Sequence, residues 1–295
     1  MARCACIDVG SNTTRLLVAE EDDQRLRELL AQRAFTQLGA ARGADGQIPA
    51  EKINEIAGVV AIQVRLAGEL NVDRIRVVAT SAVRSAANAG ALADAIEAAC
   101  GLPVEVLTGE EEARLAFAGA IGMLPDPPRG ELGVVDVGGG SSELVVGTVA
   151  EGATWSVSLP LGSSVVTETD LPNDPPSLEE LTQLRGKIGA VFEQVDAPRP
   201  GAAHAVGGSA TSLQQLLGSV LGSDALERGL QTLAAHRSDE VARQLGLHPA
   251  RVRLLPAAIL LLDAAARALQ APLQMGSGGL REGIVLEELR CLGAR

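Results

Sequence analysis

Apolar residues recur along the chain with two different periods, and the switches between them lay out the elements. Cys4–Val9 is a nearly continuous apolar run, followed by strand-like segments at Thr13–Glu20 and Leu26–Phe35. The polar EEDDQR between these two predicts a hairpin tip. Gly39–Pro49, rich in Gly and Ala, reads as a mobile loop. Pro49 then opens a helix with Ile53, Ile56, Val60 and Val64 at helical spacing. Arg74–Ala79 predicts a strand, Thr80–Arg84 a polar turn, Ala89–Cys100 a helix and Val104–Leu107 a short strand. The clearest breaker is PDPPRG, Pro125–Gly130, where we place a domain boundary.

Beyond the breaker the pattern begins again. Two apolar strands flank three glycines in VVDVGGGSSELVVG, Val134–Gly147, and Trp155–Leu159 reads as a third strand. A short helix at Gly162–Leu171 and a loop at Pro172–Pro176 follow. Ser177-Leu178-Glu179-Glu180 is a capping box that opens a helix to Val195. Ala203–Val206 predicts a strand, Leu226–Leu245 and Pro256–Leu269 helices, Leu273–Met275 a strand and Leu280–Leu292 the last helix. His236 and Asp239 read as solvated or capping residues.

The restart is a true repeat. IDVGSNTTRLLV, Ile7–Val18, aligns without a gap on VDVGGGSSELVV, Val135–Val146. Asp8 falls on Asp136, Gly10 on Gly138 and Thr13–Thr14 on Ser141–Ser142. Two related domains, each opening with a strand–loop–strand hairpin, are expected: residues 1–124, and residues 125–280. The final segment, 281–295, is expected to return to the first.

The repeated loops carry the first candidate chemistry. Gly138, Gly139 and Gly140 are expected to turn the chain with positive φ and let it approach a ligand. Their N–H groups, with Ser141 and Ser142, suit a phosphate oxygen. An acid beside phosphate donors makes sense if a hard cation joins the two, because Mg²⁺ takes one or two carboxylates plus phosphate oxygens. The same stretch is also an ordinary glycine turn with an edge Asp. Gly207-Gly208-Ser209 is a second strand–glycine–helix junction, either an anion site or glycine-assisted packing. Arg84 ends a strand–turn unit where ligands collect in open α/β sheets, and it reads either as a phosphate contact or as a solvated Arg. Arg281, at the head of the last helix, has the reach for a phosphate.

Thr108-Gly109-Glu110-Glu111 is another capping box, so Glu111 has a structural task. Glu112 comes next and shares a helix face with Leu115, Ala116 and Gly119. It heads an inward stripe and is a candidate to orient or deprotonate water. The competing reading is that all three Glu simply favour the helix N-terminus.

Composition narrows the classes. Of 295 residues, 46% are hydrophobic and 21% charged, as in a globular protein. The aromatics are only Phe35, Phe117, Phe192 and Trp155, too few for a single-stranded nucleic-acid platform. The net charge of −12 repels nucleic acid and anionic membrane. Lys52 and Lys187 are the only lysines, so an anionic substrate would meet Arg. Cys4, Cys6, Cys100 and Cys291 lack zinc-ligand spacing; free thiols and no export signal lead us to expect a cytoplasmic protein.

Five stretches together resemble the signature blocks of the Ppx/GppA phosphatases, the exopolyphosphatases and guanosine pentaphosphate phosphohydrolases: IDVGSNTTRLLV, ATSAVR, GEEEARL, VDVGGGSSELV and GSGGLREG. VGGSATSL and RVRLLPAAILLL are similar to further family blocks. The resemblance implies an α/β architecture of two ribonuclease-H-like domains, as in actin, Hsp70 and sugar kinases, flanking a central cleft. It implies that Glu112 is the catalytic carboxylate, assisted by Arg84, and that Asp136 is a metal-site residue, with Asp8 joining through water. It matches Ser11, Asn12 and Thr13, beside Gly10, and Gly138–Ser141 to phosphate-binding positions. The cofactor implied is Mg²⁺ or Mn²⁺, the state a homodimer, and the form the short two-domain one. The expected reaction is release of terminal phosphate from polyphosphate. Guanosine pentaphosphate is the alternative substrate, and an ATP-dependent kinase or ATPase of the same superfamily the alternative activity.

Overall fold

The computed structural model describes residues 1–22, 25–126 and 128–293. Asp23 and Gln24 of the expected hairpin tip, and Pro127 of the breaker, lie outside the described residues. The chain divides into two compact units, Met1–Met123 with Gly278–Arg295, and Leu124–Ser277.

The first unit is built on β1 (Arg3–Val9), β2 (Thr14–Asp22) and β3 (Arg25–Ala34), an antiparallel meander. Next come a one-turn helix α1 (Leu38–Ala41) and the long α2 (Ala50–Glu69). Then come β4 (Arg74–Ala79), α3 (Ser81–Arg84), α4 (Ala89–Cys100), β5 (Val104–Val106) and α5 (Gly109–Met123). β4 and β5 join parallel to β1, so the sheet order is β3-β2-β1-β4-β5. One sheet face is covered by α2 and α4 through Ile53, Ile56, Val60, Leu92 and Ile96. Two corrections apply here. The segment expected to be a mobile loop opens with α1, held by the Gly39 N–H on the Ser11 carbonyl at 2.8 Å. The polar turn after β4 is helical, because Thr80 O accepts from both Val83 and Arg84 N–H.

The second unit repeats this plan. β6 (Leu132–Val137), β7 (Ser142–Thr148) and β8 (Gly152–Leu159) form its meander. They are followed by α6 (Ser163–Asp170), α7 (Leu178–Phe192), β9 (Ala202–Val206), α8 (Gly207–Leu217) and β10 (Val220–Leu221). After these come α9 (Ser223–Ala235), α10 (Ser238–Leu245), α11 (Pro249–Val252), α12 (Leu255–Leu269) and β11 (Leu273–Met275). The sheet order is β10-β11-β9-β6-β7-β8, the first unit's order with one added edge strand. Both units are ribonuclease-H-like. α12 is apolar nearly all round and is buried accordingly, from Leu255 to Leu262. The expected single helix Leu226–Leu245 is two, broken at His236 and Arg237. The break lets Asp174 accept from the N–H and hydroxyl of Ser238, at 3.0 and 2.6 Å, which starts α10 afresh.

The last helix, α13 (Leu280–Gly293), belongs to the first unit. It covers the second face of that sheet, with Leu280, Ile284, Val285 and Leu289 beside Cys4, Cys6, Leu17 and Leu115. Four such side chains contribute about 2 kcal/mol each on burial. Burial pushes the Cys4 thiol up to about 12 and the Cys6 thiol up as well, so these two thiols act as small core hydrophobes. Among the described residues no helix is long and apolar enough to cross a membrane.

Candidate active site

In the first unit, Thr108 and Glu111 form the reciprocal capping box: Glu111 N–H to Thr108 Oγ1 at 3.2 Å, Thr108 N–H to Glu111 Oε2 at 2.8 Å. This box fixes the start of α5 and with it the direction of Glu112. Leu115, Ala116 and Gly119 of the same stripe are buried, and the Glu112 side chain is 13% exposed. Arg84, at the end of α3, donates through Nη1 to Glu112 Oε2 at 3.1 Å and to the Leu107 carbonyl at 2.6 Å. The predicted phosphate-contacting Arg thus stands on the predicted catalytic carboxylate. It neutralises Glu112 and holds it in one orientation.

Asp8 ends β1. Its Oδ1 is shielded from solvent and accepts no hydrogen bond. Burial raises its pKa above the usual carboxylate range, while Arg15 and Arg281 pull it down. The loop at 10–13 is closed by the Gly10 N–H on the Thr13 carbonyl at 3.1 Å. The Ser11 and Asn12 carbonyls accept from Gly39 and Gln37 N–H. Three carbonyls of this loop are therefore turned into the protein, which removes their negative ends from any anion the loop would meet.

The second unit reproduces the bond that closes the loop. Gly138 N–H donates to the Ser141 carbonyl at 2.9 Å, the counterpart of the Gly10–Thr13 bond. The Gly138 and Gly139 carbonyls accept from the N–H groups of Ser163, Ser164 and Val165, the first turn of α6. One expectation is corrected: Gly138–Gly140 do not take positive φ. The close approach belongs to neighbouring Gly162, where a Cβ would lie 2.3 Å from the Gly139 carbonyl, while a Cβ on Gly138 would meet the Ser141 carbonyl oxygen at 3.2 Å. Positive φ occurs at Gly207, at 78°, where a Cβ would lie 2.1 Å from Asp136 Oδ1. Ser209 gives its hydroxyl to the Val137 carbonyl at 2.7 Å, so it docks α8 on β6.

The sheets add residues that sequence reasoning missed. In the second unit Asp136 stands opposite Glu143, and Glu143 opposite Ser158. Glu143 is 2% exposed and accepts from Ser158 Oγ at 2.8 Å. The equivalent row in the first unit is Asp8, Arg15 and Arg33. Directly opposed side chains share a face about 5 Å apart. The repeat alignment already set Arg15 against Glu143, and only this change of sign could have flagged either. Among the described residues no group of three or more His, Cys, Asp or Glu could hold a metal ion. The Asp136–Glu143 pair nevertheless fits a hard divalent cation of the Mg²⁺ type, which takes one or two carboxylates and keeps its other positions for water and phosphate. Asp8 fits less well, with Arg15 opposite it and Arg281 near.

The Ppx/GppA phosphatase family matches residues 17–291. Exopolyphosphatase 2 of Mycobacterium tuberculosis is 30% identical, with 92% of each sequence covered. Exopolyphosphatase 1 of Mycobacterium bovis is 27% identical over 97% of this chain and 88% of its own. Among solved structures, the Aquifex aeolicus member of the Ppx/GppA protein family superposes with a TM-score of 0.83 at 30% identity, covering 99% of this chain and 98% of its own. An exopolyphosphatase from Cytophaga hutchinsonii shares the fold at a TM-score of 0.86 and 22% identity, with 98% of each chain covered. With the second glycine loop, the Glu112 helix and the α13 block in place along the matched length, this chain is a member of the Ppx/GppA phosphatase family.

Proposed function

We propose that this protein is a metal-dependent hydrolase that releases the terminal phosphate of inorganic polyphosphate. The observation that carries the reading is Glu112, at the head of α5, held by Arg84 with its side chain still in reach of water. The curated relatives named exopolyphosphatase support polyphosphate as the substrate.

Glu112 accepts a proton from a water molecule as the water oxygen forms a bond to the terminal phosphorus. The bridging P–O bond breaks, its electron pair leaves with the shortened chain, and orthophosphate departs. The loop at 138–141 has N–H and hydroxyl donors that suit phosphate oxygens, and its repeat at 10–13 has the same kinds of donor. Asp136 and Glu143 are the residues that would hold Mg²⁺, which supplies neutralisation of phosphate charge when bound. Catalysis of this kind is mostly positioning and charge stabilisation.

Phosphate release should be compared on polyphosphates of several lengths, guanosine pentaphosphate and ATP, each with Mg²⁺ and with a chelator. The highest kcat/KM is expected on polyphosphate, and none with chelator. A preference for guanosine pentaphosphate would move the assignment to that substrate. ATP-dependent phosphorylation of a small molecule would overturn the hydrolase reading.

A further inference from the structure

The two meanders match strand for strand, and each leaves its third strand at the edge of its sheet, β3 in the first unit and β8 in the second. Both edges follow a register shift, between Val18 and Ala19 and between Val146 and Gly147 of the neighbouring strand. They differ in charge. β3, RLRELLAQRA, presents Arg25, Arg27, Glu28 and Arg33, and such charges keep an edge from pairing with another chain. β8, GATWSVSL, carries no charged residue and no Pro. Beyond its ladder with β7, β8 forms no backbone hydrogen bond among the described residues. The N–H and C=O groups on its outer side are therefore open to a further strand.

The residues of β8 also select that strand. Directly opposed residues of an antiparallel pair share a sheet face, so a strand that pairs with its own copy must turn about a residue. From Trp155 to Leu159, past the register shift, β8 alternates regularly. Trp155, Val157 and Leu159 face the core, and Ser156 and Ser158 stand on the other face, opposite Val145 and Glu143. A two-fold at Val157 sets Trp155 against the partner's Leu159, Val157 against the partner's Val157 and Ser156 against the partner's Ser158. Apolar and hydroxyl pairs of this kind stabilise a ladder, and no like charges meet in it. In a chain of net charge −12, a neutral strip lets two copies touch without added local repulsion. Pro160, which has no N–H, ends the strip.

We propose that two copies of this chain associate through β8, antiparallel about a two-fold at Val157, joining their second-unit sheets into one. The contact is smaller than a standard protein interface, so the dimer dissociates in the micromolar range. This association stands apart from the reaction assigned above.

Trp155 is the only tryptophan of the chain, so its fluorescence reports on the contact directly. Sedimentation equilibrium of the full chain over a dilution series should show a monomer–dimer equilibrium, with Trp155 emission changing over the same concentrations. Ser156→Lys places a charge within the strip and should raise Kd at least about tenfold. Thr182→Lys adds the same charge at an exposed position of α7 and should change Kd less than twofold. Hydrogen exchange on the unaltered chain is the second measurement: amides from Trp155 to Leu159 should gain protection with concentration, while those of β3 keep theirs. Three results overturn the proposal. A monomer at every concentration would leave the edge to a strand of another protein. Equal effects of the two Lys substitutions would place the contact elsewhere. So would a dimer whose formation leaves Trp155 emission and β8 exchange unchanged.

Discussion

Arg84 Nη1 lies 3.1 Å from Glu112 Oε2, and the same nitrogen donates to the Leu107 carbonyl at 2.6 Å. One guanidinium therefore ties the end of α3 to the head of α5 and fixes the carboxylate assigned to the water. Glu112→Gln should lower kcat for phosphate release at least about 100-fold, the range for losing a general base. Arg84→Ala should lower it roughly tenfold by freeing Glu112, and Arg84→Lys should recover only part, because an ammonium lacks the planar fork.

Asp136 and Glu143 face each other across β6 and β7. If they hold the cation together, Glu143→Gln should raise the half-saturating Mg²⁺ concentration about tenfold, as loss of one charged ligand contact does. Titrating phosphate release against Mg²⁺ measures this. An unchanged midpoint would remove Glu143 from the metal site.

Gly207 joins positive φ to a contact that any side chain would violate, 2.1 Å from Asp136 Oδ1. Gly207→Ala should destabilise the protein by about 1–3 kcal/mol through strain and crowding. Because the contact is with Asp136 itself, the loss should appear in kcat as well as in denaturant midpoint.

α5 and α13 meet backbone to backbone. A Cβ at Gly283 would lie 1.9 Å from the Leu115 carbonyl, and one at Gly119 2.0 Å from the Gly279 carbonyl. Gly283→Ala should cost about 1–3 kcal/mol and displace Glu112 and Arg281 together, since each rides on one of the two helices. Equilibrium unfolding and kcat for the same variant check both halves of this expectation.

Acid should loosen α13 from β4. Glu287 is buried enough to raise its pKa, but hydrogen bonds and charge from Arg76 and Arg114 prevail and hold it below its ordinary value. A carboxylate with a depressed folded pKa stabilises above its unfolded value and loses that contribution as pH falls through the folded one. Protection of α13 amides from hydrogen exchange should therefore drop below about pH 4.5. In Glu287→Gln the drop over that range should be smaller.

Much of this molecule was legible in the order of its residues. The gapless match of Asp8 to Asp136, the capping boxes at Thr108 and Ser177, the strands at Arg74 and Leu273 and the inward placement of Glu112 all depend on neighbours within one or two turns or along one strand. Those interactions are local, so residue type and spacing specify them. Gly207 shows the limit: a glycine before a helix is visible, but its contact with Asp136 depends on how β9 and β6 pair.

The tertiary structure alone decided what stands beside what. Arg33, Arg15 and Asp8 lie on three different strands and become one row only through their register. Glu143 becomes the neighbour of Asp136 in the same way. The break between α9 and α10 follows from Asp174, more than sixty residues upstream of Ser238. Arg84 sits on Glu112 because α3 and α5 converge beside β4 and β5. Side-chain period and caps are properties of the segment, whereas register and helix docking come from the packing of many segments at once. Residue type and spacing thus specify the repeated loops and the inward face that Glu112 heads, and the packing of segments specifies the charges around them.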